Sequence, residues 1–90
     1  MSADVNFDDV SIVKSSKYRE AVVRELAEGP ATPSEIAEAV HEEIAHISRA
    51  LNEMREDDLV ELLVSEDRKK GRIYGLTDGG EKVQSYLSDR

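Results

Sequence analysis

A mainly α domain with one small β-hairpin is what this sequence predicts, and three observations predict it. Apolar residues recur at helical spacing over several separate stretches. Each stretch begins or ends at a recognisable punctuation mark, sharpest at Thr32-Pro33-Ser34-Glu35. Two short runs, "LVELLV" and "RIYGL", flank the charged loop "SEDRKKG", and paired strands around such a loop read as a hairpin.

Taken in order, "VNFDDVSIV" carries Val5, Phe7, Val10, Ile12 and Val13 and predicts a brief helix packed on the domain. "SSKYREAVVRELAEG" predicts a longer one. Tyr18, Val22, Val23 and Leu26 fall on one face, serines precede them to cap the start, and Gly29-Pro30 stops the run. At Thr32–Glu35 the spacing is that of a capping box. The threonine hydroxyl accepts from the glutamate N–H while the carboxylate reaches back. Pro33 suits the first helical position, where its missing N–H would be unpaired anyway. Ile36, Ala37 and Val40 make the inner face of that helix.

A short turn at His41-Glu42 leads into "EIAHISRALNEMRED". There Ile44, Ile47, Leu51 and Met54 form the inward stripe, and Ala45, His46, Ser48, Arg49 and Asn52 face outward or sideways. After the hairpin, "TDGGEKVQSYLSD" predicts a last helix, capped by Thr77 or Asp78, with Val83, Tyr86 and Leu87 on its apolar face. Helices joined by a tight turn and followed by a hairpin form a helix-turn-helix with a wing.

Bulk composition sets limits on chemistry. The 90 residues predict one domain over 1–90. A chain of this size buries only about 60–65% of the surface its unfolded form exposes, which leaves one modest core and little room for a catalytic cleft. Carboxylates need such a cleft to become acid–base catalysts, so no enzyme is expected. Cysteine is absent, which excludes disulfides and thiolate chemistry. His41 and His46 are five apart, off a common helical face and without a third ligand, so neither metal nor cofactor is expected. Gly79-Gly80 lacks the glycine spacing and Lys-Ser/Thr of a phosphate loop. No apolar run approaches the roughly 18–20 residues of a membrane span. "MSADVNFDD" lacks the basic-then-apolar order of a signal peptide, so the cytoplasm is the expected location.

Charge is unevenly distributed. The chain sums to −8, yet Arg68, Lys69, Lys70 and Arg72 gather four of its 12 Lys and Arg residues on the predicted hairpin tip. Charged residues make up 36% of the chain. Regular apolar spacing argues against disorder, and a dense carboxylate surface poor in lysine fits adaptation to high salt. Composition leaves that reading open.

"TPSEIAEAV", "HISRALNEMREDDLVELLV" and "KKGRIYGLTDGGEKV" together resemble archaeal winged helix-turn-helix transcriptional regulators of the MarR/ArsR-like kind. The resemblance runs from Ser16 to Val83 and is specific for fold more than for target. It implies a double-stranded DNA partner, with the third helix, "EIAHISRALNEMRED", in the major groove and the 65–72 tip on the backbone or minor groove. The implied contacts are Ala45, His46, Ser48, Arg49, Asn52, Arg68, Lys69, Lys70 and Arg72. The residue types suit that role: Arg donates twice to guanine, Asn pairs with adenine, and Lys or Arg on a tip neutralises phosphates.

Several alternatives stay open at the level of sequence. Glu42, Glu43, Glu53, Glu56, Asp57, Asp58 and Glu61 crowd the same region, so a protein–protein module with an acidic docking face is the second reading. Arg49 has Glu53 four residues on as an ion-pair partner in place of DNA. Val5, Phe7, Val10, Tyr86 and Leu87 fit either ordinary core or a homodimer seam.

Overall fold

A computed structural model of the chain describes residues 5–88. The order is α1 (Phe7–Lys14), α2 (Lys17–Leu26), α3 (Pro33–Val40), α4 (Ile44–Glu56), β1 (Val60–Leu62), β2 (Tyr74–Leu76) and α5 (Asp78–Ser88). Both helices and hairpin stand where the sequence predicts them. The termini of the predicted 1–90 domain, 1–4 and 89–90, lie outside the described residues.

Local chemistry accounts for the helix starts. Asn6 caps α1 by accepting from the Asp8 N–H at 2.8 Å, and Ser16 caps α2 through the Arg19 N–H at 3.3 Å. The capping box of α3 is complete: Thr32 Oγ1 accepts from the Glu35 N–H at 3.2 Å, and Glu35 Oε1 accepts from the Thr32 N–H at 2.9 Å. For α5 the cap is Thr77, whose hydroxyl accepts from the Gly80 N–H at 3.1 Å and donates to the Asp58 carbonyl at 2.7 Å.

The turn between α3 and α4 closes on His41, which is left-handed at φ 60° and ψ 43°. This lets the Glu42 N–H reach back to the Ala37 carbonyl at 3.1 Å, the long bond of a Schellman closure. A left-handed residue there reverses the chain within three positions, so α4 packs on α3 and on α2 together.

One core serves every element. Val13 of α1, Val22 and Val23 of α2, Ile36 of α3 and Val83 of α5 converge with Ile47, Leu51 and Met54 of α4, all fully or almost fully buried. Each such side chain is worth about 1.5–3 kcal/mol of transfer free energy. The predicted inward stripe of α4 needs one correction. Ala50 belongs to it, but Ile44 does not, because 49% of its surface is exposed. Ile44 opens the helix on an edge that is left half open to solvent.

The hairpin is shorter than the apolar runs suggest. β1 and β2 pair antiparallel through Val60–Leu76, Glu61–Gly75 and Leu62–Tyr74, and one more bond, from the Leu63 N–H to the Ile73 carbonyl at 2.7 Å, extends the ladder. On its other edge Tyr74 makes a two-way bridge with Ala31, at 3.1 and 2.9 Å. The connection between α2 and α3 is thereby stitched to the sheet.

Gly80 marks the tightest approach in the chain. A Cβ built there would lie 2.1 Å from the Leu59 carbonyl oxygen, whereas at Gly79 the nearest atom would be 3.5 Å away. Backbone cannot retreat as a flexible side chain can. Gly80→Ala is therefore expected to destabilise the fold by about 1–3 kcal/mol, the usual cost of overpacking. Gly79→Ala is expected to be neutral or stabilising by up to about 1 kcal/mol from improved helix propensity. Urea unfolding of both variants measures the contrast, and equal effects would contradict it.

Candidate nucleic-acid interface

With Ile47, Ala50, Leu51 and Met54 turned inward, the other faces of α4 are fixed by 3.6 residues per turn. Ile44, Ser48, Asn52 and Arg55 fall along one edge, His46, Arg49 and Glu53 along the opposite edge, and exposed Ala45 lies between. The first edge faces the wing. Between them runs a groove of about 520 Å³, walled by Ile44, Ser48 and Asn52 of α4, Thr32, Pro33 and Ser34 at the start of α3, and Lys69, Lys70, Gly71, Arg72 and Tyr74 of the hairpin. In a chain of net charge −8, this groove is lined by three cations and no carboxylate among the described residues.

The wing tip is ordered by its own backbone. Ser65 accepts from the Arg68 N–H through its carbonyl at 3.0 Å and from the Asp67 N–H through its hydroxyl at 3.2 Å. The Arg68 Nε–H donates to the Lys70 carbonyl at 2.9 Å, and Gly71, at φ +63°, turns the chain back. Lys69 and Lys70 are left exposed without an ion pair among the described residues. Arg72 is engaged: its guanidinium holds Glu66 Oε1 at 3.2 Å, while Arg55 of α4 holds the other oxygen of the same carboxylate. One wing glutamate thus ties the tip to α4.

Of the contacts implied by sequence, Ser48, Asn52, Lys69, Lys70 and Arg72 are brought around the groove. Arg49 lies outside it, exposed, and its expected partner is taken, since Glu53 pairs with Arg19 of α2 at 3.2 Å. His46 stacks on Tyr18 with ring centroids 4.6 Å apart. Arg68 folds onto its own loop. Sequence reasoning misses Thr32, Ser34, Ile44, Arg55 and Glu66. Helical spacing from Ser48 and Asn52 could have found Arg55; nothing in the sequence pairs Glu66 with it.

Some of the acids that crowd this part of the sequence are directed elsewhere, while Glu56 stays beside Asn52 and Arg55. Glu42 leans to Lys17 of α2 at 3.6 Å. Asp57 and Asp58 lie near Asp9 of α1, and partial burial, followed by repulsion from Asp57, Asp8 and Asp58, raises the Asp9 carboxyl above its ordinary value. Glu43 stays exposed at the start of α4 and makes no capping bond.

Solved structures share this arrangement. A MarR family regulator from Neisseria meningitidis, NMB1585, superposes with a TM-score of 0.75 at 24% identity over 82% of this chain and 53% of its own. Diamide-treated YodB from B. subtilis gives 0.76 at 22% identity over 91% of this chain and 81% of its own. The adhesin competence repressor AdcR from Streptococcus pyogenes gives 0.73 at 15% identity over 82% and 55%. The chain spans about half the length of NMB1585, AdcR and the Lactococcus lactis ZitR structure it also matches. These likenesses establish the winged-helix fold. No family model matches the sequence, and no curated protein does.

The Glu66 clamp makes a prediction independent of any ligand. Glu66→Ala removes the link between Arg55 and Arg72. Exposed ion pairs contribute little, so global stability should change by no more than about 1 kcal/mol. Amide exchange from Leu63 to Arg72 should nevertheless accelerate, because the tip loses its tie to α4. Unchanged exchange there would show that the turn bonds alone hold the wing.

Proposed function

We propose that this chain is a sequence-specific DNA-binding transcriptional regulator, with α4 in the major groove and the 65–72 tip on the adjacent backbone or minor groove. The observation that carries the reading is the acid-free, cation-lined groove between α4 and the wing in an otherwise acidic protein. Its chemistry divides into two tasks. Arg68, Lys69 and Lys70 supply charge for phosphates, which positions the protein without reading sequence. Ser48, Asn52 and Arg49, which has no ion pair among the described residues, supply hydrogen bonds suited to base edges, Ala45 offers a small apolar contact, and His46 flanks them from its stack on Tyr18. Arg72 either stays on Glu66 or exchanges it for a phosphate. That the fold neighbours include a MarR family regulator and a repressor supports the reading. No reaction, metal or cofactor is part of it, and the site of action is the cytoplasm.

An acidic docking module is the second reading, and the Asp8, Asp9, Asp57 and Asp58 cluster favours it. Substitution separates the two. Replacing Arg68, Lys69 and Lys70 with Ala should weaken binding to every duplex and lower the salt slope by about 0.9 for each phosphate no longer neutralised. Arg49→Ala should relax preference at one base step, at roughly 1–3 kcal/mol of discrimination. Electrophoretic titrations over a range of KCl measure both. Affinities indifferent to all of these changes would hand the case to the docking module.

The regulator is further proposed to act as a homodimer through α1 and α5. Val5 and Val10 belong to the core, but Phe7 is 62% exposed and meets Tyr86 edge-on at 5.4 Å. An aromatic pair half open to water at the meeting of two terminal helices suits a second copy. Sedimentation should show a dimer that Phe7→Asp converts to a folded monomer. A wild-type chain monomeric at high micromolar concentration would remove the dimer from the proposal.

A further inference from the structure

We propose that Ile44 is a specificity determinant that reads the C5-methyl group of thymine in the major groove. The inference rests on the DNA-binding reading above and deepens it. Three large apolar residues are exposed among the described residues, Phe7, Ile44 and Leu63. Phe7 has Tyr86 against it, and Leu63 lies over Gly75, with its Cδ1 2.9 Å from where a Cβ there would stand. Ile44 has 49% of its surface open, and that surface forms part of the wall shared with Ser48, Asn52, Lys69, Lys70 and Arg72.

An isoleucine has no hydrogen bond to offer a phosphate or a sugar. Ser48 and Asn52, one and two turns further along the same edge, are polar, so no apolar neighbour on α4's own outer edge covers it. What the major groove offers to such a side chain is the thymine methyl, its one exposed apolar group and a mark that distinguishes A·T from G·C. Closing the two together removes apolar surface from water on both sides, and the cations around Ile44 hold the duplex close enough for it. Neighbouring charge also points away from other occupants: an apolar peptide would have to bury Lys69 and Lys70 without partners.

Position along the helix sharpens the inference. Ile44 and Asn52 are eight residues apart on one edge, about 12 Å along the helix axis, a span that lies within one turn of the duplex. A thymine read by Ile44 and an adenine read by Asn52 then fall within one half-site.

The test begins with selection of a preferred site by the full chain from a random duplex library. Each thymine in the selected site is then replaced singly by deoxyuridine, which lacks only the methyl. Wild-type protein should lose about three- to tenfold in affinity at one thymine per half-site, in line with a buried methyl contact, and change little elsewhere. Ile44→Ala should bind the thymine and uracil duplexes equally at that position, while Ile44→Val keeps most of the difference. Circular dichroism confirms that both variants are folded, as an exposed position requires. A site with no methyl-sensitive thymine overturns the inference, and so does an Ile44→Ala protein that keeps the full uracil penalty. Wild-type protein that binds no duplex at all overturns the DNA reading itself, an outcome distinct from binding without methyl sensitivity.

Discussion

Everything on the outer surface of α4 follows from the burial of its inner one. Ile47, Ala50, Leu51 and Met54 are sealed against α2, α3 and the root of the hairpin. Interiors are packed as densely as organic crystals, so rotating the helix by even part of a turn would open cavities on one side and clash on the other. The directions in which side chains leave the outer arc are therefore fixed. Ser48 and Asn52 face the wing, and Arg49 and His46 face α2, because four apolar residues leave no alternative. A surface built this way is pre-organised by the core.

Charge is organised by the same frame. Summed along the chain, the acids near α4 argue against any polyanionic partner, and a linear count gives them full weight. In three dimensions they separate. Glu53 is held by Arg19 and Glu42 by Lys17, while Asp57 and Asp58 are set against the acids of α1. The wing, by contrast, commits one carboxylate, Glu66, to two arginines and leaves both lysines unpaired among the described residues. Local geometry thus turns a net-negative protein into one with a positive cleft. The aspartates around Asp9 bear the opposite consequence, a repulsion on that carboxyl that dissolved salt weakens.

Helices, caps and hairpin are legible because each depends on residues close in sequence. The Thr32–Glu35 box needs four neighbours and nothing else, and the stripe of α4 needs only its own period. Legibility fails where the deciding partner comes from elsewhere. Ile44 shares the period of the stripe, but burial depends on what lies opposite, and there the start of α3 and the hairpin leave it half open. Glu53 has an arginine four residues before it on its own helix and takes one from α2 instead, since rotamers and inter-helix spacing decide between them. By its period His46 is a free outward side chain, and only the fold sets Tyr18 of α2 against its ring. Bridge pairing of Ala31 has no pattern at all, being a single residue in a loop. The candidate groove is half readable for the same reason: its α4 and wing residues are periodic or clustered, whereas Thr32 and Ser34 arrive by tertiary folding.

That single-residue bridge bears on how such a domain changes over evolutionary time. A hairpin at the end of a helical unit looks like an exchangeable accessory, free to be lengthened, shortened or swapped for a relative's. Here β2 supplies both hydrogen bonds of Ala31, so the segment leading into the turn motif completes its backbone pairing only when Tyr74 stands in register. Strand and loop form one inherited unit. Insertions are tolerated between Leu63 and Arg72, where the ladder has already opened, and are costly on the Tyr74 side. Diversity in wings of this architecture accordingly belongs at their tips, and their roots descend with the helices that flank them.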